Sequence, residues 1–154
     1  MIYIGIDPGK SGALAVLRED GKVTIFKFEE LAYDLILRDI ANSKQRSACV
    51  LERVSAMPKQ GVTSMFNFGV NFGFIQGLLT AHNIPFELVT PRKWKSEFGI
   101  TADKNSSITV AQRLFPAVSL LRTEKCKKPD DGIAEALLLA EYARRKLGGK
   151  SDER

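Results

Sequence analysis

The sequence predicts an α/β domain with a mixed five-stranded sheet, strand order 3-2-1-4-5, and helices on both faces. Three observations carry this. Residues 3–28 hold three short apolar stretches separated by tight turns, the pattern of an antiparallel meander. From residue 29 onward, segments of helical spacing alternate with short apolar runs, the pattern of parallel crossovers. The length, 154 residues, fits one domain and is long enough to bury a core.

The first strand is read at residues 3–6, and residues 5–12 hold Gly5, Pro8, Gly9 and Gly12, a tight turn. Residues 13–17 form the second strand. Asp20-Gly21 marks the hairpin turn that leads into a third strand at 23–28. Leu31, Leu35, Ile36 and Ile40 recur at helical spacing over 29–41. The apolar run 48–54 should return as a strand parallel to the first. A loop follows at 55–61, then a long helix at 63–82 rich in Phe and Gly. Residues 86–89 make the fifth strand. Helices are expected at 91–98, 104–115 and 129–147, the first and last opened by Pro91 and Pro129. The domain is read as residues 1–147, with a polar tail at 148–154. This is the order expected of the ribonuclease H-like fold, and other α/β folds can also produce it.

Composition narrows the function classes. The chain is 44% hydrophobic and 27% charged, which excludes a disordered chain. The formal net charge is +5 and the isoelectric point about 9.3, a balance that suggests a polyanionic partner. With two cysteines and one histidine, a zinc cluster is excluded and a histidine-based triad is disfavoured. Cys49, inside an apolar run, reads as a buried thiol. The first residues lack the basic segment of a signal peptide, and no apolar run approaches a membrane span, so a cytoplasmic location is expected.

The acids are placed unusually. Asp7 ends the first strand, just before Pro8-Gly9. Glu52 lies inside the apolar run of the fourth strand, where an unpaired carboxylate is costly. Asp130 and Asp131 open the last helix, and Glu135 follows Asp131 by one turn on the same face. Each has an ordinary reading: a turn cap for Asp7, helix N-terminal acids for Asp130 and Asp131, pairing with Arg53 or Lys10 for Glu52. In the order 3-2-1-4-5, however, strands one and four are neighbours, and their acids converge at one edge beside the last helix. Three or four oxygen ligands without His or Cys suit Mg²⁺, or Mn²⁺. Two such ions can activate a water and stabilise the leaving oxygen of a phosphodiester. Mutual repulsion would raise the carboxylate pKa values until metal binds.

These segments resemble a known family. Residues 5–16 (GIDPGKSGALAV) resemble the first motif of RuvC-type Holliday-junction resolvases. Residues 50–61 (VLERVSAMPKQG) resemble their glutamate motif and mobile loop, and 128–145 (KPDDGIAEALLLAEYARR) their last-helix acidic motif. Residues 89–100 and 103–116 look like the preceding region of small phage-borne members. The resemblance spans residues 2 to about 145. It implies a ribonuclease H-like homodimer that nicks four-way or branched DNA with divalent metal, Mg²⁺ or Mn²⁺, and it suggests a phage or prophage origin. By motif, Asp7 and Glu52 match the first two catalytic acids. The family's final pair is spaced by three before Ala-Leu. Here Glu135 precedes Ala136-Leu137, and Gly132 stands three residues earlier, so the partner is Asp131 at four residues, with Asp130 as a substitute.

The basic excess is local. Residues 90–128 hold nine basic and three acidic residues, more than the whole excess of the chain. Such a stretch can lie along phosphates. The candidates are Arg92, Lys93, Lys95, Lys104, Lys127 and Lys128, with Lys10 near Asp7 and with Met57 and Lys59 in the loop after Glu52. Trp94 reads either as a base-stacking residue or as a core anchor. In the Phe- and Gly-rich helix, Phe66, Phe68, Phe72 and Phe74 cannot share one face, and Gly69, Gly73 and Gly77 allow close helix approach. That helix reads as a homodimer interface, the alternative being burial within one monomer. Beside the nuclease stand two other readings. One is a non-catalytic DNA-junction binder with structural acids. The other is an actin-like phosphotransferase, which 154 residues leave no room for.

Overall fold

A computed structural model describes residues 1–149, with the Lys104 side chain outside the description. Residues 150–154 of the expected tail also lie outside the described residues. The strands are β1 (Ile2–Asp7), β2 (Ala13–Arg18), β3 (Val23–Lys27), β4 (Ser47–Glu52) and β5 (Phe86–Val89). The helices are α1 (Glu30–Asn42), α2 (Val62–Ala81), α3 (Pro91–Glu97), α4 (Lys104–Leu114) and α5 (Asp131–Leu147). The sheet order is β3-β2-β1-β4-β5, as expected. β1 pairs antiparallel with β2 and parallel with β4, and β4 pairs parallel with β5.

Alternation along the strands sorts side chains into two cores. Ile2, Ile4 and Ile6 of β1 join Cys49 and Leu51 of β4, Tyr33 and Leu37 of α1, and Ile75 and Leu79 of α2. Tyr3 joins Ala48 and Val50 of β4, Trp94 of α3, Ala111 of α4 and much of α5. α5 is buried along most of its length, because sheet and helices enclose it.

The expected boundaries hold within one or two residues, and one shift is informative. Pro129 does not open the last helix. Asp130 is the N-cap, its carboxylate accepting the Ile133 N–H at 3.0 Å, and helical geometry begins at Asp131. The acidic cap thus decides where α5 starts, and Pro129 stands outside it. At α3 the expectation holds: Thr90 caps and Pro91 is the first helical residue. Cys49 is buried, as expected.

Candidate metal centre

The register of β1 on β4 sets the first two acids. Gly5 lies opposite Val50 and Ile6 opposite Leu51, so the next step brings Asp7 beside Glu52. Asp7 follows Tyr3 and Gly5 on one face, and Glu52 follows Ala48 and Val50 on the same face. Both carboxylates therefore leave the carboxyl end of the sheet toward α5. A slip of one residue in either strand would turn its acid toward α1 and α2.

α5 supplies the third acid because it lies unusually close to β1. A Cβ on Gly5 would fall on the Ala140 nitrogen and the Ala136 carbonyl oxygen. A Cβ on Gly132 would meet the Ser11 carbonyl at 2.6 Å and the Asp7 Oδ2 at 3.3 Å. Carboxylate oxygens of Asp7, Glu52 and Glu135 lie within 4.8 Å of one another. The same tight contact explains the glycine at the position where an acid is spaced by three from Glu135: a side chain there would have to grow through the β1–β2 turn.

Three neutral or cationic groups hold this acidic cluster. The buried Trp94 indole donates to Glu52 Oε2 at 2.7 Å. The Lys95 ammonium sits 3.1 Å from Glu135 Oε1, and the Ser107 hydroxyl donates to the same oxygen at 3.4 Å. Burial pushes the Asp7 carboxyl well above the usual carboxylate range, and the charges of Glu52, Glu135 and Asp131 push it further; Lys95 opposes them. Glu52 is raised chiefly by burial and then by Glu135, while the Trp94 hydrogen bond and Lys95 pull it down. An all-oxygen donor set whose protons are hard to remove, until a cation arrives, fits a hard divalent ion.

The other expected residues divide into groups. Asp131 begins α5 near enough for its charge to raise Asp7. Asp130 is not among these three acids: besides capping α5 it pairs with Arg122, Nε to Oδ2 at 2.7 Å. Lys95, read as a phosphate contact, is turned inward to Glu135. Lys10, Arg92, Lys93, Lys127 and Lys128 are exposed. Met57 and Lys59 are exposed in the loop between Glu52 and α2. Lys104 opens α4. Trp94 is fully buried, so of its two readings the core anchor holds and base stacking does not. The sequence gives no sign that its indole would serve Glu52, which lies on a separate element. Nor does it mark Ser107 or Arg122, whose partners are reached only through the tertiary packing of α4 and of the segment before α5.

No protein-family model matches the sequence, and no curated protein matches it significantly. Solved structures do match. The structure of Thermus thermophilus RuvC aligns at 15% identity with a TM-score of 0.63, covering 96% of this chain and 97% of that one. The T. thermophilus RuvC complex with a Holliday junction substrate aligns at 16% identity and a TM-score of 0.62, covering 97% of each chain. The yeast mitochondrial Holliday junction resolvase Ydc2 aligns at 16% identity and a TM-score of 0.50, covering 89% of this chain and 75% of that one. Likeness in structure at so low an identity speaks to architecture, and the architecture is plain: this chain has the ribonuclease H-like fold of RuvC over nearly its whole length.

Proposed function

We propose that this protein is a divalent-metal-dependent endodeoxyribonuclease that nicks Holliday junctions and other branched DNA. The observation that carries the reading is the convergence of Asp7, Glu52 and Glu135 at one sheet edge of a RuvC fold. Asp7, Glu52 and Glu135 would hold the metal, Mg²⁺ or Mn²⁺, with Asp131 adding negative charge at the same edge. When bound at such oxygens, the ion supplies an activated water and charge stabilisation for the leaving oxygen of a phosphodiester. Trp94 fixes the orientation of Glu52, and Lys95 with Ser107 that of Glu135.

Branched DNA is the partner suggested by the junction complex of T. thermophilus RuvC and by the exposed cations. Lys10 lies on the turn beside Asp7, Arg92 and Lys93 on the outer side of α3, and Lys127 and Lys128 before α5. With Lys59 in the loop, they offer cations for phosphates. We also propose a homodimer through α2. Val62, Phe66 and Val70 form an exposed stripe on that helix, with Phe66 71% exposed. Gly69, Gly73 and Gly77 beside it leave room for a second backbone. No described helix is long and apolar enough to cross a membrane.

The test is cleavage of an end-labelled four-way junction in a series of divalent ions. Asp7→Asn and Glu52→Gln are expected to bind the junction and to lose about 10³-fold in rate, roughly 4 kcal/mol of barrier. Full activity in Glu52→Gln would overturn the reading. Binding without nicking by the wild type in every ion would favour a junction binder with structural acids.

A further inference from the structure

We propose that Arg122 and Asp130 are a positioning pair that clamps the β1–β2 turn to the first turn of α5 and so sets the spacing of Asp7 and Glu135. The inference rests on the metal-centre reading above. Asp7 is the last residue of β1, and Glu135 lies in the second turn of α5. β1 is fixed to its neighbour strands by ladder hydrogen bonds, but α5 meets the sheet mainly through apolar packing. Such packing resists sliding less sharply than a directional bond, so the spacing of the two acids needs a local tie.

Arg122 supplies one. Its Nε donates to Asp130 Oδ2 at 2.7 Å and its Nη2 to Asp130 Oδ1 at 3.1 Å. The same Nη2 donates to the Ser11 carbonyl and, at 3.4 Å, to the Gly12 carbonyl. Asp130 in turn caps α5 through Ile133 N. One planar guanidinium thus joins the turn that follows Asp7 to the cap of the helix that carries Glu135. The pair is about three-quarters shielded, with side-chain exposures of 24% and 20%, so water competes less than at an open surface pair. The turn and helix touch at this point, where the Ser11 carbonyl and Asp7 Oδ2 crowd Gly132. A small shift of the turn is therefore a shift of Asp7. Both Asp130 oxygens accept from Arg122, the contact by which Asp130 acts as a positioning residue.

Trp94 is the single tryptophan and bonds Glu52 directly, so it can sensitise Tb³⁺ luminescence at the acidic cluster without any cleavage. Asp130→Asn keeps an oxygen for the helix cap but loses the ion pair. Arg122→Lys keeps the charge but cannot bridge the cap and two carbonyls with one planar fork. Both are expected to weaken Tb³⁺ about tenfold, the usual effect of losing an outer support of a metal site. In junction cleavage, half-saturating Mn²⁺ should rise by about the same factor, while the rate at saturating Mn²⁺ recovers to within about threefold of wild type. A general loss of stability would lower the rate without moving the half-saturation point. Tb³⁺ affinity within about twofold of wild type in both variants would overturn the clamp. Wild-type emission that is insensitive to Asp7→Asn would overturn the metal centre itself, whereas Asp7-dependent emission with unchanged variants would overturn the clamp alone.

Discussion

The sheet holds its helices differently on its two faces. Toward α1 and α2 it presents Ile2, Ile4, Ile6, Leu14, Val16 and Leu51, large side chains that fill the gap to each helix. Toward α5 it presents Gly5, Ala13, Ala15 and Ala48, and α5 answers with Gly132, Ala136, Ala140 and Ala143. One face is spaced by side chains, and the other lets helix and strand backbones nearly touch. The difference explains where polar chemistry is placed. Short side chains such as Asp7 and Glu52 reach a group on a helix only where that helix is close. The α5 face brings three carboxylates within 4.8 Å, whereas the α1/α2 face carries Ile6 and Leu51 at that height and no acid, its buried Asn71 accepting the Gly9 N–H at 2.7 Å.

This contrast can be broken at several points. The largest effect on stability is expected from Gly5→Ala, whose new methyl would collide with the α5 backbone. Urea unfolding should show a loss of about 3 kcal/mol, and metal affinity should fall with it as α5 is pushed away from Asp7. Unchanged stability would mean that α5 does not need its close approach. Next comes Trp94→Phe, which keeps the aromatic ring but removes the hydrogen bond to Glu52. Calorimetric titration with Mn²⁺ should show about tenfold weaker binding.

A smaller effect tests the charge of the site. The pKa values of Asp7 and Glu52 are raised in the folded chain, chiefly by burial. Folding without metal therefore takes up protons. The stability from this uptake is fully present below the unfolded values, about pH 4, and is lost as pH rises through the raised values. Metal-free Asp7→Asn should accordingly be more stable than wild type at neutral pH, by about 1 kcal/mol or about 3 °C in Tm. The gain should shrink as the pH falls toward 4 or when Mg²⁺ is added to the wild type. At the low end stands Ile4→Val on the opposite face. It should cost about 1 kcal/mol in unfolding and leave metal affinity unchanged. A change in metal affinity there would mean that the two faces are coupled.

Much of this was legible along the chain. The three-stranded opening, the parallel return at β4 and the helices follow from periodicities and turn residues within a few positions of each other. Asp7 before Pro8-Gly9 and Glu52 in an apolar run stood out because local rules disfavour a buried acid. The convergence of the two acids also follows, since strand order and alternation fix which side chains share an edge. Legibility ends where a role depends on a partner from a distant element. Lys95 and Arg122 read as two more cations in a basic stretch, yet one turns to Glu135 and the other to Asp130 and the β1–β2 turn. Asp130 and Asp131 are adjacent acids at a helix start, and nothing local separates a cap from a site acid.

The sequence by itself determined the element order and the acids at the strand end and in the apolar run, because these arise from short-range geometry and the cost of burying charge. Only the tertiary structure decided that Glu135 rather than Asp130 joins Asp7 and Glu52, that Trp94 and Lys95 serve the acids, and that Asp130 belongs to Arg122. Those assignments depend on the distance between α5 and β1. That distance is set by Gly5 meeting the backbone of α5, a contact between residues far apart in the chain.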